Sequence, residues 1–122
     1  MRMTSLIFAA AVLGASAAMA ATDEDPGQVS TIAGDFGGAA QSCGLDTQAY
    51  SGRVEQLLKH LAGGSGQVDQ LIDNFRSRIK ETVAREETER TIDCMDAKRR
   101  FEELPINQPD WTVETGWASE ML

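Results

Sequence analysis

Residues 46–83, DTQAYSGRVEQLLKHLAGGSGQVDQLIDNFRSRIKETV, carry two apolar stripes at helical spacing, separated by Gly63-Gly64-Ser65-Gly66. In the first, Tyr50, Val54, Leu57, Leu58 and Leu61 fall at i, i+4, i+7, i+8 and i+11, which places them on one face of a helix. Asp46 is a residue type that opens helices, because its carboxylate accepts from free N–H groups of the first turn. In the second, Val68, Leu71, Ile72, Phe75, Ile79 and Val83 form the longest stripe in the chain. Asp69 and Asp73 stand near its start, where the helix dipole favours negative charge. The short glycine-rich link predicts an antiparallel hairpin, and the second helix is the expected core helix.

Outward from this hairpin the pattern weakens. Toward the N-terminus, Val29, Ile32, Ala33, Phe36 and Ala40 keep helical spacing, yet Gly34, Gly37 and Gly38 interrupt them. Each glycine costs up to about 1 kcal/mol relative to alanine inside a helix. Residues 21–45 therefore read as a flexible acidic start followed by a glycine-interrupted segment, either a frayed helix or an irregular strap over the core. Toward the C-terminus, the stripe vanishes between Ala84 and Ile92 in REETERT, although Glu81 to Arg85 and Glu86 to Arg90 are favourable i,i+4 pairs. Helical spacing resumes with Ile92, Met95, Ala97, Phe101 and Leu104. The helix either runs on as an exposed rod or turns near Thr88; a turn is favoured because it returns Phe101 and Leu104 to the core. Pro105 and Pro109 end the helical part, so the helical domain spans 46–104 and a Pro/Trp tail spans 105–122.

The first twenty residues, MRMTSLIFAAAVLGASAAMA, combine an early Arg2, a short apolar run from Leu6 to Leu13 and the small-x-small end Ala18-Met19-Ala20. That is the pattern of a signal peptide cleaved after Ala20, and the expected location is the periplasm or the exterior. A membrane anchor needs roughly 20 strongly apolar residues, whereas this run is alanine-rich and holds Gly14 and Ser16. No stable membrane anchor is expected after cleavage. Removal of residues 1–20 leaves 102 residues with ten Lys or Arg against nineteen Asp or Glu, a net charge of −9. Nucleic acid is not an expected ligand, since neutralising phosphates requires clustered cations.

Cys43 and Cys94 are the only cysteines. An isolated pair in an exported chain reads as a disulfide, and small exported domains commonly need one. With the Gly63–Gly66 turn setting the register, Cys43 lies just beyond the far end of the hairpin and Cys94 about 10 Å along a helix axis. The Cys43-Gly44-Leu45 stretch must then bridge the gap. A redox site is disfavoured, because reactive pairs usually sit in C-x-x-C turns.

The remaining constellations each have a plain surface reading. His60, the single histidine, sits on a polar helix face with Arg53 and Gln56 and cannot build a multi-histidine zinc site. Glu86, Glu89, Asp93 and Asp96 could line one helical face, but no D-x-D-x-D-G calcium loop is present. Lys98-Arg99-Arg100 suits the negative end of a helix, beside Asp96, Glu102 and Glu103. No cofactor, metal or catalytic set is expected. Trp111, Val113 and Trp117 alternate as in an extended segment. They either pack back over a thin core or serve as partner-binding anchors on a mobile tail.

The order of signal peptide, Cys43-Gly44, helical hairpin, Cys94 and terminal helix resembles, in architecture, the HdeA-type acid-stress chaperones, small periplasmic helical proteins with one disulfide. The expected fold is all-α, a small bundle of three to four helices with one disulfide and an irregular C-terminal tail. The expected function is non-enzymatic: a periplasmic protein-interaction or chaperone-like factor with a protein partner or client. The alternative is an immunity or inhibitor protein whose acidic helices block a basic toxin or hydrolase.

Overall fold

Asp25 and Pro26 open the first helix in the way their chemistry suggests. The Asp25 carboxylate accepts from the Gly27 N–H at 3.2 Å, and Pro26 occupies a position where no N–H is needed. The structure is a computed structural model and describes residues 24–117; the leader assigned to residues 1–20 and the tail residues 118–122 lie outside the described residues. Four α-helices follow in order: α1 Pro26–Ser42, α2 Gln48–Ala62, α3 Val68–Glu89 and α4 Cys94–Glu103, with a 3-10 turn at Pro105–Asn107. The fold is an all-α bundle with one disulfide, and no strand occurs among the described residues.

The helical body starts at Pro26 rather than at residue 46, and the glycine-interrupted segment takes the helical form throughout. Its glycines mark where α3 comes closest. A Cβ built on Gly34 would lie 2.5 Å from the Arg78 Cβ and 2.9 Å from the Phe75 carbonyl oxygen. One on Gly38 would lie 2.5 Å from the Thr82 Cβ. One on Gly37 would lie 3.0 Å from Tyr50 Cε2 and from Ile79 Cδ1. The helix propensity lost at these positions is offset by dispersion contacts that only a near approach of two backbones permits.

This seam relocates the core. Val29, Ala33 and Ala40 of α1 are fully buried with Val54, Leu57, Leu58 and Phe75, so the apolar interior is not confined to the part of the chain after Tyr50. The longest contact of α3 runs along α1, and the α2–α3 hairpin touches over a shorter stretch. Loop length makes α2 and α3 sequence neighbours, but side-chain size decides which helix approaches α3 most closely. Polar links reinforce the α1–α3 seam. The Ser30 hydroxyl donates to the Leu71 carbonyl at 2.7 Å, and Asn74 donates to the hydroxyls of Ser30 at 2.9 Å and Thr31 at 3.1 Å. Arg78 pairs with Asp35 on α1, and Arg76 pairs with Glu55 on α2. Both pairs are exposed and contribute little.

Helix boundaries follow local chemistry. Asp46 caps α2 from one residue further out than expected, accepting from the Gln48 N–H at 3.0 Å, while Thr47 holds the N-cap backbone position. Gly63, at φ 57°, ends α2. The chain does turn after α3, at Arg90–Asp93 and so slightly beyond Thr88.

The tail packs back. After the 3-10 turn it runs through turns rather than an extended segment, and Leu104, Ile106, Trp111 and Trp117 join the core. Tyr50 is the hub of this end. Its ring meets Phe101 at 4.9 Å, Phe75 at 6.2 Å and Trp117 at 6.3 Å between centroids, and its hydroxyl donates to the Ala33 carbonyl. Burial, assisted by the nearby Asp35 carboxylate, holds the Tyr50 phenol well above its ordinary range.

Candidate functional site

The start of α4 buries no side chain before Phe101, and the turn that leads into it is held by polar groups. Asp93 caps the helix, its carboxylate accepting from the N–H groups of Met95 at 3.1 Å and Asp96 at 3.3 Å. The turn before it is closed by Glu86. That carboxylate accepts from the Thr91 N–H at 2.8 Å, the Thr91 hydroxyl at 2.6 Å and the Ile92 N–H at 2.9 Å. The Thr91 hydroxyl is the main cause holding Glu86 below the usual carboxylate range; the two N–H groups and Arg85 add to it, against the opposing effect of burial. Arg90, at φ 51°, supplies the left-handed residue that the reversal needs.

A depressed carboxylate makes the closed turn favourable above the ordinary glutamate range, and this contribution is lost as pH falls through the folded-state value. Amide protection at Thr91 and Ile92 is therefore expected to fall selectively in acid. In Glu86→Gln it should be low at every pH, because an amide presents one acceptor where three donors converge. Equal protection in the two proteins would contradict this role.

The disulfide fixes α4 to the end of α1. Cys43 and Cys94 are joined with 5.5 Å between their Cα atoms, Cys43 at the C-cap of α1 and Cys94 as the first residue of α4. Two clefts border the start of α4. One, of about 520 Å³, is lined by both cysteines with Gln41, Ser42, Val83, Glu86 and Arg90 among others. The other, of about 350 Å³, is lined by Phe36, Ala39, Ile92 and Ala97 with Asp35, Asp93, Asp96 and Arg100. Ile92 borders both. Met95, on the first turn of α4, is 85% exposed and is the one large apolar side chain so placed among the described residues.

Of the residues singled out in the sequence, the acidic set does not gather into a site. Glu86 points into the turn, Asp93 caps α4, and Asp96 pairs with Arg99 at 2.6 Å and Arg100 at 2.8 Å. Glu89 is exposed. Among the described residues, no group of three His, Cys, Asp or Glu is arranged to hold a metal ion. The expected pairs Glu81–Arg85 and Glu86–Arg90 do not form; Glu86 has better partners in the turn. The basic run is tied up locally, Arg99 bridging Asp96 and Glu103. His60 is exposed near the end of α2.

The tryptophans do not project to solvent. Trp117 is fully buried and Trp111 is 9% exposed, while Val113 is half-buried. Both indoles belong to the core cluster of the chain. Sequence reading missed what holds them. Arg53, assigned to a polar face, donates through Nη1 to the carbonyls of Ile106 and Gln108, both at 2.7 Å, and lies 5.6 Å from the Trp111 ring centroid. Glu24 accepts from the Trp117 N–H at 2.8 Å. Neither contact has a local sequence signal, since the partners are 53 and 93 residues apart. No helix among the described residues is long and apolar enough to cross a membrane. No family model, curated protein or solved structure matches the chain.

Proposed function

We propose that this protein is an exported, non-enzymatic factor that binds another protein through the α4 face. The observation that carries the reading is Met95, 85% exposed on the first turn of α4, while the other large apolar residues among the described residues are partly or wholly covered. An exposed methionine is an adaptable anchor for a partner surface, and the cleft that Phe36, Ala39, Ile92 and Ala97 line on the same end of the bundle offers a place for the partner's own side chains. Net negative charge selects a partner of opposite sign and speeds encounter. A disulfide-linked body suits the periplasm or exterior.

This places recognition on α4 and leaves the tail aromatics as part of the core, a different surface from the Trp111, Val113 and Trp117 set. A photo-crosslinker at position 95 in exporting cells should join the protein to a discrete partner, and one at His60, near the end of α2, should not. Met95→Asp should abolish recovery of that partner. Equal labelling from both positions, or none from position 95, would refute the reading. The acidic excess also suits an inhibitor of a basic toxin or hydrolase, and protection of cells from such a protein by the captured chain would establish that form of binding. Suppression of aggregation of several unrelated unfolded clients would instead establish the chaperone form.

A further inference from the structure

We infer that the Cys43–Cys94 bridge is a thiol-addressable latch: it opens in the folded protein, and its opening releases residues 93–98 from α1 while the Glu86-closed turn and the rest of the bundle stay folded. Three observations combine. First, both cysteines line the cleft of about 520 Å³, and Cys94 is itself exposed, so a dissolved thiol reaches the bridge without passing through the core. Second, between Cys94 and Arg100 no residue is buried; the first buried residue of α4 is Phe101. Ile92 and Ala97 are only half-buried, so little apolar area holds this segment once the covalent bond is gone. Third, the core contacts that secure the remainder lie elsewhere, in the α1–α3 seam and in the packing around Tyr50.

The reaction is ordinary thiol–disulfide exchange with a dithiol reductant. A reductant thiolate attacks the sulfur of Cys94, the more exposed residue of the pair, the Cys43–Cys94 bond breaks, and the electron pair leaves on Cys43, which takes up a proton. The second thiol of the reductant then displaces Cys94 from the mixed disulfide. The protein ends with two thiols and the reductant with one disulfide. Freed from α1, the start of α4 no longer separates the two clefts, and Phe36, Ala39 and Val83 border one continuous depression. This inference stands independently of the partner-binding role.

The test is the rate law for reduction of the native protein by dithiothreitol. The expected rate is first order in reductant with no plateau, and unchanged by urea well below the unfolding midpoint. Hydrogen exchange on the reduced protein should accelerate in residues 93–98 alone, with the tryptophan emission unchanged. A rate that saturates with reductant at the global unfolding rate would overturn the inference, because attack would then require unfolding. A red-shifted emission on reduction would overturn it equally, since the bundle would have opened as a whole.

Discussion

Replacing Trp117 by alanine is expected to lower the free energy of unfolding by about 3–5 kcal/mol, the range for a buried large aromatic whose removal leaves a cavity. The residue is fully buried. Its ring lies 5.8 Å from Phe36 on α1 and 6.3 Å from Tyr50 on α2 between centroids, so it joins the tail to two helices at once. Its backbone N–H adds the contact to Glu24. Those groups are far apart in sequence and have no local means of closing over the gap. Trp117→Phe should cost much less, because the indole Nε1–H finds no acceptor among the described residues and the lost area is smaller. Urea unfolding of both variants measures the difference. A loss below about 1 kcal/mol for the alanine variant, within the ordinary range of surface substitutions and small changes, would show that the tail is not part of the core.

The second large effect is expected from Cys43→Ser combined with Cys94→Ser. The bridge spans a sequence separation of 51, and in the chain-entropy model closing such a loop disfavours the unfolded chain by about 4 kcal/mol. For a domain of this size that corresponds to a fall in Tm of roughly 15–30 °C. The start of α4 buries no side chain until Phe101, so few native contacts vanish with the bond and most of the effect lies in the unfolded state. The serine variant should therefore also unfold with a steeper dependence on urea, because its denatured chain exposes more surface. An unchanged melting temperature would show that the cross-link is not what stabilises so small a domain.

Much of this architecture is legible in residue order because it rests on local rules. The stripes from Tyr50 to Leu61 and from Val68 to Val83 are helices, Gly63 stops the first of them, and the two cysteines are bonded. What was not legible depends on how far apart two backbones sit. Gly34, Gly37 and Gly38 argue against a helix when judged by propensity alone, yet they permit the closest helix–helix approach in the bundle. The same holds for Arg53, a solvated cation by helical phase and a clamp on the tail in three dimensions. Glu86 shows a subtler failure. Its spacing to Arg90 predicts an ion pair, but the chain reverses and offers two N–H groups and a hydroxyl instead. At the α4 face, Met95 shares the helical spacing of Ile92, Phe101 and Leu104, and spacing alone does not separate the exposed Met95 from the buried Phe101 and Leu104.

The organising role of α1 can be tested by making one chemical change at two glycines. Gly52 lies inside α2, where an added Cβ would meet nothing within 4 Å, so Gly52→Ala should stabilise the protein by up to about 1 kcal/mol. Gly38 faces the Cβ of buried Thr82, an atom fixed to the α3 backbone that cannot rotate aside. Gly38→Ala should therefore destabilise by about 1–3 kcal/mol, as overpacked cores do. Chemical denaturation of the two variants beside the parent protein should give opposite signs. A Gly38→Ala protein as stable as the parent, or more so, would contradict the close seating of α1 on α3.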